Sequence, residues 1–186
     1  MNNIFLQSAI KQFEYYKLLG VKTFNQLNDE KLFWQFNVES NSIAIIAKHL
    51  HGNMLSRWTD FLTADGEKEW RKRDEEFENN ITTKTELLEI WDKGWDCLFM
   101  ALENLNEQDL DKIIYIRNQG QTVVEAINRQ LCHYSYHVGQ IVFIGKMICN
   151  EDWQSLSIPK GNSKQYNSEK ISQEKHIEHI TDDIKK

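Results

Sequence analysis

Apolar residues recur at three- and four-residue steps along most of the chain, the spacing that places them on one face of an α-helix. Four long segments have this pattern: Asn3 to about Leu27, Ser42 to about Leu62, Thr83 to Leu105, and Thr122 through Ile148. A single proline and eight glycines leave few breaks in these segments. The pattern therefore predicts an all-α fold, a four-helix bundle in which each helix buries one apolar stripe.

Polar residues at the ends of these segments predict where the helices begin. Thr83 followed by Glu86 has the spacing of a capping box. Asn28 is a competent N-cap for a short connecting helix within Leu27–Phe36. Gly20 is expected to interrupt the first long helix.

Two connections lack the helical pattern. The β-branched stretch 113–122 around an Asn–Gln–Gly turn predicts a short extended segment or hairpin. The longer connection, Thr63 to Asn80, is dense in charge, and the favoured interpretation is a solvated crossover. The alternative is a binding element, in which Trp70, Arg71 and Arg73 hold an anionic substrate at the mouth of the bundle.

The length of 186 residues fits one domain with a substantial core. We predict that residues 1–158 form the bundle and that residues 159–186 form a polar, flexible tail. The tail contains His176 and His179, which are expected at the surface because no apolar pattern surrounds them.

Charge and composition restrict the class of partner. The net charge is −6 and the pI is about 5.5, which argues against a nucleic acid. No apolar run approaches the roughly 20 residues that span a bilayer, and the N-terminus lacks a signal-peptide pattern. The three cysteines have no CxxC spacing, so a disulfide framework is not expected. We therefore expect a cytoplasmic protein with no membrane and no nucleic-acid partner.

The clearest chemical signal is a pair of histidines in the fourth helix. His133 and His137 are four residues apart, so their Cβ atoms lie about 5–6 Å from each other on one helix face, close enough to share a metal ion. The competing interpretation is a pair of core-edge histidines that are hydrogen-bonded to neighbours. A third ligand from elsewhere in the chain would favour the metal site over hydrogen-bonded core-edge histidines. The second helix offers His49 and His51 on opposite flanks of its apolar stripe, and periodicity alone does not choose between them.

Two stretches resemble a known family: SIAIIAKHLHGNMLSRWTDF in the second helix and HYSYHVGQI in the fourth. Together they are similar to the DinB/YfiT-like superfamily of candidate metalloenzymes, and to an uncharacterised branch of it. The resemblance covers about Asn3 to Ile158. It implies a four-helix bundle of DinB/YfiT-like type in which a histidine of helix two and an HxxxH pair of helix four bind a divalent metal. The matching positions are His49, which follows the pattern S-I-x-x-I-x-x-H, and His133 with His137.

The resemblance also implies a range of activities. Members of the superfamily include transferases that use the thiols bacillithiol or mycothiol, and others resemble metal-dependent hydrolases. A third interpretation is a non-catalytic homodimeric binding module that retains a metal site. We expect a small-molecule substrate, with a low-molecular-weight thiol as the candidate, and a zinc or nickel ion, since imidazole suits borderline transition metals.

The sequence identifies no catalytic residue. Asn53 and Gln140 lie one helical turn beyond His49 and His137, so they are expected either to contact substrate or, as favoured, to orient the imidazoles. Metal binding is expected to weaken as the pH falls through about 6.5, the usual pKa of histidine.

Overall fold

A computed structural model describes residues 4–182 of the protein, which are mostly helical. The helices are α1 (Ile4–Phe24), α2 (Asp29–Phe33), α3 (Ile43–Trp58), α4 (Lys84–Glu103), α5 (Val123–Cys149) and α6 (Ser163–Ile171). Strands β1 (Ile113–Ile116) and β2 (Gln119–Thr122) form an antiparallel hairpin, and short 3-10 turns lie at Asp74–Phe77, Glu107–Asp109 and Asn150–Asp152. The prediction of a predominantly helical fold is confirmed. The hairpin lies in the stretch 113–122, where a short extended segment or hairpin was predicted. Asn3, the predicted start of the first helix, lies outside the described residues.

The four long helices α1, α3, α4 and α5 pack around one core. Helix α3 contacts α4 and α5, and α1 contacts α5 and α4. The middle of the core is aromatic: the ring of Phe24 meets Trp91 edge-on at 5.1 Å between centroids, and Phe13 lies 5.8 Å from Tyr134. These four side chains are fully buried. Within residues 4–182, no helix combines the length and the apolar character that crossing a bilayer requires.

Helix α1 continues through Gly20, so the predicted interruption there was wrong. The residue is a packing position instead, because the indole of Trp91 occupies the space that a side chain at position 20 would need. This close approach of α4 to the backbone of α1 compensates for the weaker helix propensity of glycine.

The caps predicted for α2 and α4 are present, and α5 has a further one. Thr83 and Glu86 form the complete capping box of α4, Thr122 and Glu125 form a second one at α5, and Asn28 caps α2. The helix ends were predicted less well. Helix α2 stops at Phe33 and α3 stops at Trp58, short of the expected Phe36 and Leu62, because Trp34 and Thr59 are extended.

The hairpin turns one residue earlier than expected, at Arg117 and Asn118, which have φ values of 54° and 61°. Both carboxylate oxygens of Asp65 accept hydrogen bonds from this turn, from Arg117 N at 2.8 Å and from Asn118 N at 2.8 Å. The crossover between α3 and α4 is thereby fixed to the hairpin that precedes α5.

The crossover 63–80 is not simply solvated, so the favoured interpretation was wrong for its key residues. The side chain of Arg71 is 2% exposed and that of Glu76 is 7% exposed. Trp70, in contrast, is 56% exposed. The segment therefore contributes a buried ion pair to the interior, beside α3.

The C-terminal segment contacts α1. His179 Nε2 lies 3.1 Å from Ser8 Oγ, Lys11 Nζ lies 2.6 Å from Asp182 Oδ2, and Thr181 is buried. His176 is exposed as predicted, and His179 is partly exposed at the surface, where it contacts Ser8 of α1. Residues 183–186 of the predicted tail lie outside the described residues, and the flexibility of the tail stays a prediction.

Candidate metal centre

Three histidines from two helices meet at one point. His133 and His137 are one turn apart on α5, and their Nε2 atoms lie 3.1 Å from each other. His49, on α3, is 6% exposed, and its ring centroid lies 5.5 Å from that of His133 and 5.0 Å from that of His137. One nitrogen from each ring lies within 4.8 Å of the others. The three residues therefore offer the nitrogen ligands for one metal ion.

Glutamine side chains orient the two α5 histidines. His133 Nδ1 donates to Gln130 Oε1 at 3.3 Å, and His137 Nδ1 donates to Gln140 Oε1 at 2.8 Å. Because Nδ1 carries the proton in each ring, both Nε2 atoms present lone pairs. Helical spacing places Gln130 and Gln140 on the same flank as the histidines, although the sequence analysis singles out only Gln140.

The facing lone pairs fit a bound cation. The lone pairs of the two Nε2 atoms, which are 3.1 Å apart, repel each other. A metal ion that accepts both lone pairs removes the repulsion. Nitrogen ligands of one tetrahedral zinc ion, at about 2.0–2.1 Å each, are roughly 3.3 Å apart, close to the observed separation. Three imidazoles would leave a fourth coordination position for substrate or water, as in catalytic zinc sites.

The third histidine is oriented by a carboxylate from the crossover. His49 Nδ1 donates to Glu76 Oε2 at 2.9 Å, which leaves Nε2 free to bind a metal. Glu76 in turn accepts from Arg71, whose Nε lies 2.7 Å from Oε1 and whose Nη2 lies 3.0 Å from Oε2. Sequence reasoning missed Glu76, which is one of several acidic residues in a charged segment and has no distinguishing pattern.

Electrostatics keep the two α5 histidines neutral. Burial, reinforced by the neighbouring His137 and His49, lowers the pKa of His133 to about 3. Burial also lowers the pKa of His137. Both rings therefore favour the neutral form that binds a metal, and the expected weakening of metal binding on acidification stays a prediction. Burial alone would raise the pKa of Glu76, but hydrogen bonds from His49 and Arg71 outweigh it and lower that pKa.

One face of the His49 ring is covered by the crossover. Phe77 stacks on it with 5.1 Å between centroids and an interplanar angle of 27°. The guanidinium of Arg73 lies 5.3 Å from the centre of the Phe77 ring, and Arg73 is exposed. Of the two arginines singled out in the sequence, Arg71 is thus engaged inside the protein, and Arg73 stands at the surface over the ring of Phe77.

Asn53 and His51 have different surroundings from His49. Asn53 Oδ1 accepts from the hydroxyl of Tyr134 at 3.1 Å, and that hydroxyl accepts from Trp58 Nε1 at 3.1 Å, so the amide joins a buried chain between α3 and α5. His51 packs against Gly94 of α4. It does not belong to the histidine cluster found among residues 4–182.

Comparison with known proteins gives the family but no activity. No curated protein matches the chain. One family model matches residues 1–162, which include α1 to α5 and all three histidines of the cluster. The chain therefore belongs to the DUF1572 family, a family of proteins of unknown function.

Proposed function

We propose that the protein is a metal-dependent enzyme in which His49, His133 and His137 bind one divalent ion, zinc or nickel. The observation that carries the proposal is the 3.1 Å separation of the Nε2 atoms of His133 and His137 beside a third, buried imidazole. The resemblance of the α3 and α5 motifs to DinB/YfiT-like proteins supports it, and with it a four-helix bundle of that type. A set of nitrogen ligands favours zinc or nickel over magnesium, which prefers oxygen.

We further propose that the reaction is transfer of a low-molecular-weight thiol to a small electrophile. A divalent ion would supply positive charge that favours the thiolate form of a thiol. The sulfur forms a bond to the electrophilic carbon, the leaving group departs with its bonding electrons, and the thiol proton passes to solvent. This reaction needs an activated thiol, and it needs no strong base from the protein.

The hydrogen bonds of the Glu76 carboxylate support thiol transfer over hydrolysis. This carboxylate contacts the histidine cluster, but both its oxygens are already hydrogen-bonded to His49 and Arg71. It is therefore poorly placed to act as the general base that takes a proton from an attacking water. Hydrolysis remains the second candidate, because three imidazoles with a free coordination position are also the ligand set of hydrolytic zinc sites.

Arg73 is the residue that we expect to contact the thiol. It is exposed, and its guanidinium lies over Phe77, the ring that stacks on His49. Guanidinium groups bind carboxylates through paired hydrogen bonds. A thiol that carries carboxylates, as bacillithiol-like molecules do, matches this arrangement.

The test is a comparison of two substrate panels. Zinc- or nickel-loaded protein is given a fluorogenic electrophile with a series of low-molecular-weight thiols, and separately a series of esters and amides without thiol. We expect turnover that needs both the metal and one thiol, that disappears in His133→Ala and that persists in the matched control His176→Ala. His176 is an exposed histidine outside the cluster. Turnover without thiol would instead establish hydrolysis. Inactivity of fully metallated protein in both panels would overturn the enzyme proposal in favour of a binding module.

A further inference from the structure

We infer that Glu76 is a positioning residue for the metal centre: it fixes the His49 ring with Nε2 directed at the ion, and so makes the crossover between α3 and α4 part of the binding site. The inference rests on the proposed metal function and goes beyond the three ligands. It assigns a role to a residue from a segment that would otherwise be a surface connection.

The Glu76 carboxylate is held from two sides. His49 Nδ1 donates to Oε2, and Arg71 donates to both oxygens through Nε and Nη2. All three side chains are nearly inaccessible, with exposures of 8% for His49, 7% for Glu76 and 2% for Arg71. A buried carboxylate without a partner is costly, so the arginine neutralises its charge and leaves it in place to orient the imidazole.

The contact determines which nitrogen of His49 is free. A carboxylate accepts a hydrogen bond and cannot donate one when ionised, so the nitrogen that faces it must carry the proton. Nδ1 of His49 is therefore protonated, and the lone pair is on Nε2. Carboxylates that bind metal-ligating histidines in this way fix the ring and raise its basicity, and their loss commonly costs 10–100-fold in metal affinity.

The space for this carboxylate exists because residue 52 is glycine. A Cβ built on Gly52 would lie 2.3 Å from Glu76 Oε1 and 2.7 Å from its carboxyl carbon. Gly52 follows His49 by nearly one turn of α3, so the helix presents an open patch of backbone beside the ligand. A side chain at this position would displace the carboxylate from the place in which it meets the histidine.

Neighbouring contacts fasten the same turn of the crossover to α3. Lys48 Nζ donates to the backbone carbonyl oxygen of Glu75 and, at 3.3 Å, to that of Glu78. Phe77 stacks on the His49 ring. The turn Asp74–Phe77 is thus held by two consecutive residues of α3, Lys48 and His49. The contacts that dock the crossover on α3 therefore also orient the His49 ring.

The experiment measures Zn²⁺ affinity by competition with a chromophoric chelator for wild type, Glu76→Gln, Gly52→Ala and the control Glu75→Gln. Glu75 lies on the same turn, but its carboxylate faces solvent and pairs with Lys72, so Glu75→Gln makes the same change in charge outside the site. We expect a 10–100-fold loss of affinity in Glu76→Gln and Gly52→Ala, and an unchanged affinity in Glu75→Gln. Alanine is the better helix former, so Gly52→Ala acts on the carboxylate without weakening α3.

A second measurement separates positioning from a merely structural role. Nitrogen-15 chemical shifts of the metal-free protein report the tautomer of His49, which we expect to be Nδ1–H in wild type and Nε2–H in Gly52→Ala. If wild type binds no Zn²⁺, the proposed function itself fails. If wild type binds Zn²⁺ and both Glu76→Gln and Gly52→Ala bind it equally tightly, the metal site stands and the role of Glu76 is refuted.

Discussion

A proton on His137 opposes a proton on His133, because their Nε2 atoms lie 3.1 Å apart in a half-buried site on α5. Burial lowers the pKa of both rings, that of His133 to about 3. The same rings in the unfolded chain have a pKa of about 6.5. The folded protein therefore disfavours protonation of either ring and holds both in the neutral form that binds a metal.

The first prediction is that the metal-free protein loses stability on acidification below pH 6.5. Between that pH and about 3 the unfolded state binds more protons at His133 than the folded state does, so the free energy of unfolding falls as the pH falls. Urea unfolding at several pH values measures this slope. His133→Gln is expected to flatten it, while the exposed His176→Gln is expected to leave it unchanged. An equal slope in wild type and His133→Gln would contradict the assignment.

The second prediction concerns the pH dependence of metal binding. Since the α5 histidines are already neutral at pH 6.5, protons should not compete effectively with the metal until the pH falls well below that value. Isothermal titration with Zn²⁺ between pH 7.5 and 5.0 checks this. A loss of about fivefold in affinity for each of the two α5 histidines on going from pH 6.5 to 5.5 would show that these rings titrate normally.

The third prediction compares two glycines within helices. A Cβ at Gly20 would lie 2.3 Å from Cζ2 of the buried Trp91, whereas a Cβ at Gly139 would meet nothing within 4 Å. Gly20→Ala is expected to destabilise the protein by about 1–3 kcal/mol through overpacking. Gly139→Ala is expected to stabilise it by about 0.5–1 kcal/mol through helix propensity. Chemical denaturation measures both, and a stabilising Gly20→Ala would contradict the packing of α1 on α4.

The fourth prediction is that Asp65 fastens the crossover to the hairpin. Its carboxylate accepts from Arg117 N, Asn118 N and Glu67 N. These bonds lower its pKa, chiefly the one from Asn118. Asp65→Ala is expected to lower the free energy of unfolding by about 1–2 kcal/mol at neutral pH. The exposed Asp111→Ala serves as the control, and equal effects of the two changes would refute the special role of Asp65.

Local signals predict much of the fold. Helical spacing brings His133 and His137 to one face, and the capping box at Thr83 marks a helix start correctly, because both depend on residues a few positions apart. The role of Gly20 cannot be predicted in this way, because its reason lies in Trp91, 71 positions away in the sequence and adjacent only after packing.

In the candidate site too, some residues could be predicted from local sequence patterns and others could not. Its histidines are predicted by their spacing in α5 and by a family motif in α3. Glu76 could not be predicted, because nothing in the sequence distinguishes it from its acidic neighbours. Only the docked crossover, with Arg71 to neutralise the carboxylate and Gly52 to admit it, sets this residue apart. Contacts between segments distant in sequence decide such roles.

The most direct test of the account is the metal stoichiometry and Zn²⁺ affinity of four variants, His49→Ala, His133→Ala, His137→Ala and His51→Ala, beside wild type. Elemental analysis and chelator competition are done on protein whose helix content is verified by circular dichroism. We predict one ion per chain in wild type and in His51→Ala, and loss of at least about 100-fold in affinity in the other three. Stoichiometric, equally tight metal binding in His49→Ala and His137→Ala, with loss in His51→Ala, would contradict the three-histidine centre.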